Sequence, residues 1–146
     1  MPLIDWDDTY TVNVREMDSQ HKMLVKLLNQ LHEAIKFGCG TDILGEVFTE
    51  IVEYTRYHFN AEERLMRENG FPEYLLHKAL HEELWSRLCD TRREFDGGGR
   101  AVVGIGTLQF LRDWLINHVT TKDRAIARYL NLQGAMLGTR SAMSAR

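Results

Sequence analysis

Residues 41–69, TDILGEVFTEIVEYTRYHFNAEERLMREN, predict the long amphipathic helix from which the fold of this 146-residue chain can be worked out. One stripe of residues recurs at the three- and four-residue intervals that mark a single face of an α-helix. This stripe is apolar except near its end, and it contains Leu44, Val47, Ile51, Tyr54, His58, Glu62 and Leu65. Ionisable side chains in a core cost several kcal/mol when they lack partners, so His58 and Glu62 require a compensating interaction.

Three further amphipathic helices flank this one. The first is predicted from Asp18-Ser19 to the glycine pair Gly38-Cys-Gly40, and the third from Pro72, which suits a first helical turn, to Phe95. A fourth is predicted over residues 103–118, after the glycine run 97–99. Because the connections are short, we expect an all-α protein, an up-down-up-down antiparallel four-helix bundle.

The two ends of the chain are predicted to be less regular. Residues 1 to about 17 are expected to form an N-terminal arm anchored by Trp6, and residues 123–132 a short C-terminal helix. The length is typical of one domain, which we assign to residues 1–133. Residues 134–146 are rich in small and polar side chains, and we expect them to be a flexible tail.

Composition excludes several classes of protein. Eighteen basic and 21 acidic residues give a net charge of −3, which argues against a nucleic-acid-binding surface. No apolar run is long enough for a membrane span, so no membrane insertion is expected. The N-terminus lacks the basic stretch and apolar core of a signal peptide, and Cys39 and Cys89 lack any framework spacing. A cytoplasmic protein with two free thiols is therefore predicted.

Ionisable residues on the inner faces of the helices are predicted to meet in one layer. The residues of the pairs His58/Glu62 and His77/His81 are separated by about one helical turn, so each pair can supply two ligands to one metal ion. In an antiparallel bundle the start of helix one, the latter half of helix two, the start of helix three and the end of helix four share one end. That end collects His21, His58, Glu62, His77, His81 and His118.

Two residues test this placement. Asp123 follows His118 by five positions, which rotates an α-helix by about 500° and turns the side chain roughly 140° away. Asp123 can join the site only if the helix breaks within the β-branched stretch 119–121. His32 shares the face of His21 but lies about 16 Å further along the axis, so we exclude it from the site.

The chemistry of these donors indicates the metal. Imidazole and carboxylate ligands without thiolate suit iron, whereas zinc is usually satisfied by four ligands. Seven donors are too many for one ion. Two ions that share bridging carboxylates would use all of them.

The pattern His21, His58-xxx-Glu62, His77-xxx-His81 and His118-xxxx-Asp123 resembles the complete ligand signature of the hemerythrin family, and in particular its single-domain members, the bacteriohemerythrins. The resemblance extends over residues 1 to about 133. It implies two non-haem Fe ions with an oxo or hydroxo bridge that bind O2 reversibly. By the same resemblance, one iron would be held by three histidines, the other by two histidines with an open position, and both carboxylates would bridge. The three histidines of the first iron would be His77, His81 and His118, and the two histidines of the second would be His21 and His58. The bridging carboxylates would be Glu62 and Asp123.

Physical reasoning favours an O2 carrier over an oxidase. Oxygen-activating di-iron enzymes use Glu-xx-His motifs and carboxylate-rich sites, whereas five imidazoles with two carboxylates donate less negative charge and disfavour high-valent iron. We therefore predict O2 storage or delivery and no enzymatic activity. The open position needs dry walls, for which the candidates lie within a turn of His21 or His118: Leu24, Trp114, Leu115 and Val119.

Other functions remain open at this stage. The chain could be an oxygen or redox sensor that acts on a partner in trans, or a di-iron reductase or peroxidase that acts on nitric oxide or peroxide. A phosphotransfer domain is also a helical bundle, but it displays one solvent-facing histidine, and five inward-facing histidines argue against it. O2 is the predicted partner, and no sequence feature names a protein partner.

Overall fold

Five α-helices make up most of the protein. The structure is a computed structural model that describes residues 2–99 and 103–144, with side chains as far as residue 134, and these residues contain no strand. The helices are α1 (Arg15–Lys36), α2 (Thr41–Glu68), α3 (Tyr74–Asp96), α4 (Ile105–His118) and α5 (Arg124–Ser144). Helices α1–α4 form the bundle, in which α1 packs against α2 and α4, and α2 packs against α3. The predicted all-α antiparallel four-helix bundle is confirmed.

The apolar stripes meet in the interior as the helical periodicity requires. Leu31, Phe48 and Leu108, from three different helices, are almost completely buried. Burial of such side chains contributes about 1.5–3 kcal/mol each relative to exposure, so packing rather than helix propensity holds the bundle together. Within the described residues, none of the helices combines the length with the apolar character that a bilayer span requires.

The start of α1 differs from the prediction. The helix begins at Arg15 rather than after Asp18, which lies inside its first turn. The Asp18 carboxylate accepts hydrogen bonds from the backbone N–H groups of Val12 (2.8 Å) and Asn13 (3.1 Å). Asp18 therefore ties the N-terminal arm to the helix instead of capping it.

The arm is anchored by Ile4 as well as by the predicted Trp6. Ile4 is buried, and its backbone N–H and carbonyl both bond to the side-chain amide of Asn29 at 2.9 Å. Trp6 is only half-buried and packs against the ring of Tyr10, with centroids 5.5 Å apart. The arm thus adds a fixed layer along α1.

The break expected after His118 is a π-helical turn, Val119–Asp123, between α4 and α5. A π turn closes i→i+5 hydrogen bonds and so accommodates one more residue than an α-turn. Asp123 is thereby brought onto the face of His118 without interrupting the helix, so the predicted break is wrong. Thr120 and Thr121 donate their hydroxyl protons to the carbonyls four residues earlier, at 2.7 and 2.6 Å, and so provide partners for carbonyls in the last turn of α4, where the helical pattern changes.

Helix α5 closes the end of the bundle that carries the site. Ile126 and Ala127 are fully buried, and the Tyr129 hydroxyl donates to the carbonyl of Gly70 in the α2–α3 turn (3.2 Å). The helix continues to Ser144, so the short helix predicted to end at residue 132 is wrong. The flexibility of residues 134–146 stays a prediction, and residues 145 and 146 lie outside the described residues.

Candidate metal centre

The seven predicted ligands come together at one level of the bundle. The structure buries every one of them, with at most 5% of the residue surface exposed. Helix α1 supplies one residue, α2 and α3 two each, α4 one, and the π turn the last. In chain order they are His21, His58, Glu62, His77, His81, His118 and Asp123.

The donor atoms divide into two overlapping groups. Within each group, one ligand atom from every residue lies within 4.8 Å of the others. The first group has three histidines (His77, His81, His118) and the second has two (His21, His58), and both contain the same two carboxylates, Glu62 and Asp123. This division matches the ligand split implied by the resemblance.

Glu62 directs one oxygen towards each group. Its Oε1 lies 3.2 Å from Nε2 of both His77 and His81. Its Oε2 lies 2.6 Å from Nε2 of His58 and 3.3 Å from Nε2 of His21. A carboxylate that faces two imidazole groups with different oxygens is positioned to bridge two metal ions.

Asp123 repeats this arrangement with its own two oxygens. Its Oδ1 lies 3.1 Å from Nε2 of both His77 and His118, and its Oδ2 lies 3.0 Å from Nε2 of His21. Despite these distances, neither oxygen has a hydrogen bond of acceptable geometry within the described residues. The nitrogens and oxygens are close without pointing at one another, as expected for ligands that converge on a shared point between them.

Outer contacts orient two of the imidazoles. Nδ1 of His58 lies 2.7 Å from Oε1 of Gln20, and Nδ1 of His81 lies 3.1 Å from Oε2 of Glu63. A histidine whose Nδ1–H donates to an oxygen leaves Nε2 free for a metal. Burial lowers the pKa of His81, but the nearby carboxylates outweigh that effect and raise it.

Aromatic rings stack on two of the ligand histidines. Phe59 stacks on His81 with ring centroids 3.8 Å apart and planes within 5° of parallel. Trp114 stacks on His118 at 4.3 Å and 14°. Each ring restricts rotation of the imidazole that it covers and shields it from water.

Electrostatics keep both carboxylates ionised in spite of burial. Burial alone would raise their pKa values, and for Asp123 the nearby charge of Glu62 acts in the same direction. The surrounding histidines outweigh these effects and hold the pKa of each carboxyl well below its usual range. Two buried anions in one small site provide the charge that a pair of cations requires.

The same carboxylates hold protons on the histidines of the metal-free site. Burial lowers the pKa of His21 and His77, but the closely approaching carboxylates of Asp123 and Glu62 raise the two pKa values to about 10 and about 9. Three imidazole nitrogens also crowd together, with Nε2 of His118 3.1 Å from that of His77 and 3.3 Å from that of His81. Metal ions would replace protons and satisfy these crowded lone pairs, so the residues fit a di-metal centre.

Metal binding is therefore expected to release protons. Both His21 and His77 are protonated at pH 7 in the metal-free site, and each must lose a proton to become a ligand. We expect at least two protons per chain to be released when ferrous iron is added anaerobically in weak buffer, as measured with a pH indicator. The apparent metal affinity should rise from pH 7 to about 9.

The stability of the metal-free protein should also depend on pH, and the direction of this dependence provides a control for the predicted proton release. Because the pKa values of His21 and His77 in the fold lie above the ordinary 6.5, their protonation stabilises the metal-free fold fully below that pH. That contribution should disappear as the pH rises through about 9 and 10. Metal affinity that is independent of pH between 7 and 9 would contradict this electrostatic account.

An apolar cavity of about 30 Å³ adjoins the ligand layer inside the bundle. A single water needs about 10–15 Å³, so the space can hold a diatomic molecule. Leu24, Trp114 and Leu115, three of the four predicted pocket walls, line it. Val119 is buried in the π turn but does not line this cavity.

Sequence reasoning missed the other residues of the cavity and the outer contacts of the site. The missed lining residues are Leu28, Ile51, Thr55, Phe59, Leu84, Leu88 and Leu111. Their helical periodicity indicated burial but could not locate a gap in the packing. Gln20 and Glu63 are adjacent in sequence to ligands, and this was the only signal available for them.

His32 is not part of either donor group in the described residues. It lies half-buried in α1, and its buried Nδ1 has no hydrogen-bond partner within the described part of the chain. The structure thus agrees with its exclusion from the site on grounds of axial distance.

Comparisons with known proteins agree with this geometry. A family model described as the hemerythrin HHE cation binding domain matches residues 12–130. The chain is 35% identical to a bacteriohemerythrin of Stenotrophomonas maltophilia over 127 residues, which cover 87% of this chain and 81% of the relative. It is 33% identical to a bacteriohemerythrin of Methylococcus capsulatus over 125 residues, or 85% and 94% of the two chains.

Solved structures show the same relation. The crystal structure of a wild-type hemerythrin superimposes with a TM-score of 0.82 at 31% identity, and covers 88% of this chain and 98% of its own. The agreement extends over the bundle and the segment that carries all seven buried donors. This chain belongs to the hemerythrin family.

Proposed function

We propose that this chain binds O2 reversibly at a non-haem di-iron centre and serves in oxygen storage or delivery. The observation that carries the proposal is that a three-histidine group and a two-histidine group share the same two carboxylates, each of which directs one oxygen towards each group. The two-histidine group has one protein ligand fewer, so it is the place where an exogenous ligand can bind.

The residues have distinct roles in this proposal. His77, His81 and His118 would hold one iron, His21 and His58 would hold the other, and both carboxylates would be shared between the two, with a solvent-derived oxo or hydroxo bridge. When bound, the two irons supply the two electrons that reversible O2 binding requires. The protein has to fix the imidazoles, keep the carboxylates ionised and exclude water.

The apolar cavity supports reversible binding. Its walls are almost entirely hydrocarbon, and it adjoins Phe59 and Trp114, which cover two of the ligand rings. A dry environment limits the access of water and protons, which would otherwise displace a bound ligand and leave oxidised metal. The cavity volume of about 30 Å³ also limits the ligand to a few atoms.

We expect two irons per chain in protein produced with an adequate iron supply. The reason is the pair of overlapping donor groups, each with at least two histidines and two carboxylates. Elemental analysis together with protein quantification measures the ratio. One iron per chain, or stoichiometric zinc in protein that had been supplied with iron, would contradict the di-iron proposal.

Anaerobic reduction followed by oxygen titration in the visible spectrum tests the proposed function. A spectrum that appears with O2 and disappears when O2 is removed supports a carrier. Catalytic turnover on nitric oxide or peroxide, without reversible O2 binding, would support a reductase or peroxidase instead. A cytoplasmic location and the absence of enzymatic activity are part of the proposal.

A further inference from the structure

One lining residue of the apolar cavity differs from all the others. Nine of the ten lining residues are leucine, isoleucine, phenylalanine or tryptophan, and the tenth is Thr55. Only 5% of the Thr55 surface is exposed to solvent. Its hydroxyl is the one group in the lining that can both donate and accept a hydrogen bond.

The Thr55 hydroxyl is not bonded to its own helix as the hydroxyls of three other threonines are. Thr91, Thr120 and Thr121 each donate to the carbonyl four residues earlier, at 2.6–2.9 Å. No hydrogen bond of this kind joins Thr55 to another group in the described part of the chain. A hydroxyl that is not bonded to the helix backbone is available as a donor to a molecule in the cavity.

Helix geometry places Thr55 next to the two-histidine group. Thr55 precedes His58 by three residues on α2, and Leu24 follows His21 by three residues on α1. Residues at this spacing are neighbours on one helix face, about one turn apart. Thr55 and Leu24 therefore lie about one turn from ligands of the two-histidine group, where the proposed function places the exogenous ligand, whereas Phe59 and Trp114 border the three-histidine group.

We propose that Thr55 is a specificity-determining residue, whose hydroxyl donates a hydrogen bond to a small ligand that occupies the cavity. The inference rests on the proposed function and deepens it. A single donor among hydrocarbon walls suits a small molecule that needs one hydrogen bond. It does not suit water, which needs two to four polar partners to be held in a buried site.

Two substitutions separate the hydroxyl from its surroundings. Thr55→Val replaces the hydroxyl by a methyl group of similar size, and Thr55→Ser keeps the hydroxyl. The probes are O2 with the reduced protein and azide with the oxidised protein, at matched iron content. We expect Thr55→Val to accelerate O2 dissociation and weaken azide binding by about five- to tenfold, the worth of one hydrogen bond, and Thr55→Ser to stay within about twofold of wild type.

A stability measurement provides a readout that does not depend on ligand binding. In the oxidised, iron-loaded protein without added ligand, Thr55→Val should leave the urea midpoint unchanged or raise it, because no hydrogen bond is lost. A lowered midpoint with Thr55→Val but not with Thr55→Ser would show that the fold itself uses the hydroxyl, and would overturn the inference.

The outcomes distinguish the two proposals. If wild-type protein binds neither O2 nor azide, the proposed function is wrong. If it binds them and Thr55→Val binds them with unchanged rates and affinities, the role of Thr55 alone is wrong.

Discussion

Glu62→Ala is expected to remove both metal ions from the protein. Glu62 is the one α2 side chain that faces four imidazoles, two from each donor group. Its loss removes a ligand from both ions and leaves their positive charges less well screened. Loss of an outer-shell partner already weakens metal binding by about 10–100-fold, so we expect more than about 100-fold here.

Metal titration of the purified variant measures this effect, with unfolding followed in parallel. Breaking a buried ion pair by removing one partner costs about 3–5 kcal/mol, so the fold must be verified first. Glu62→Gln keeps the shape of the side chain and removes its charge, and it should also bind metal poorly. This variant therefore identifies the contribution of charge when Glu62→Ala is too unstable to study.

His32→Ala is the matched control for Glu62→Ala. His32 lies on the same face of α1 as His21 but about three turns away, and it belongs to neither donor group in the described residues. We expect this variant to keep both irons. Equal loss of iron in His32→Ala and Glu62→Ala would show that the metal does not lie in the layer of the five buried histidines.

Helical spacing was sufficient to predict most of this layer. The pairs His58/Glu62 and His77/His81 need only the 3.6-residue period, and the antiparallel order of the helices brings them to one end of the bundle. These inferences are robust because a shift of one or two residues in a helix end does not change the face on which a side chain lies. The start of α1 was misplaced by four residues without effect on the face on which His21 lies.

The position of Asp123 could not be predicted from helical spacing alone. An ordinary α-helix turns its side chain away from His118, and the π turn that corrects this depends on a hydrogen-bonding pattern over five residues. The β-branched run 119–121 was interpreted as a break, whereas two of its hydroxyls bond to carbonyls across the turn. A similar error ended α5 too early, because a glycine such as Gly134 weakens a helix by only about 1 kcal/mol and does not terminate it.

The cavity could not be predicted for a different reason. Periodicity identifies which side chains are buried, but an unfilled space of about 30 Å³ depends on how side chains from all four bundle helices fit together. Leu24, Trp114 and Leu115 line the cavity, and each lies about one turn from a ligand. Val119 lies in the π turn and does not line it, and the role of all four as walls of an O2 pocket stays a prediction.

Trp114→Ala is expected to shorten the life of the oxygenated protein. Trp114 lines the cavity and stacks on the ligand His118 with ring centroids 4.3 Å apart. Its removal opens the cavity to solvent and frees one face of the imidazole. Water and protons would then reach the bound oxygen more easily, so the oxygenated spectrum should decay faster in air than that of wild type.

The contact with His118 requires a second variant, because Trp114→Ala can also loosen a metal ligand. Trp114→Phe retains an aromatic ring over the imidazole and most of the apolar volume, so it should keep two irons and decay at an intermediate rate. Trp85→Ala is a matched control, since Trp85 is also half-buried but packs beneath Arg56 and does not line the cavity.

Stability and oxygen retention should respond differently to these substitutions. Truncation of a tryptophan costs about 3 kcal/mol or more in a core, and somewhat less at half-buried positions such as Trp114 and Trp85. Both alanine variants should therefore unfold more easily, but only Trp114→Ala should lose oxygen faster at matched iron content. If Trp114→Ala folds, holds two irons and decays no faster than wild type, Trp114 serves only in packing. The dry wall of the cavity would then be formed by leucines on the other helices, Leu24 and Leu28 on α1 and Leu84 and Leu88 on α3.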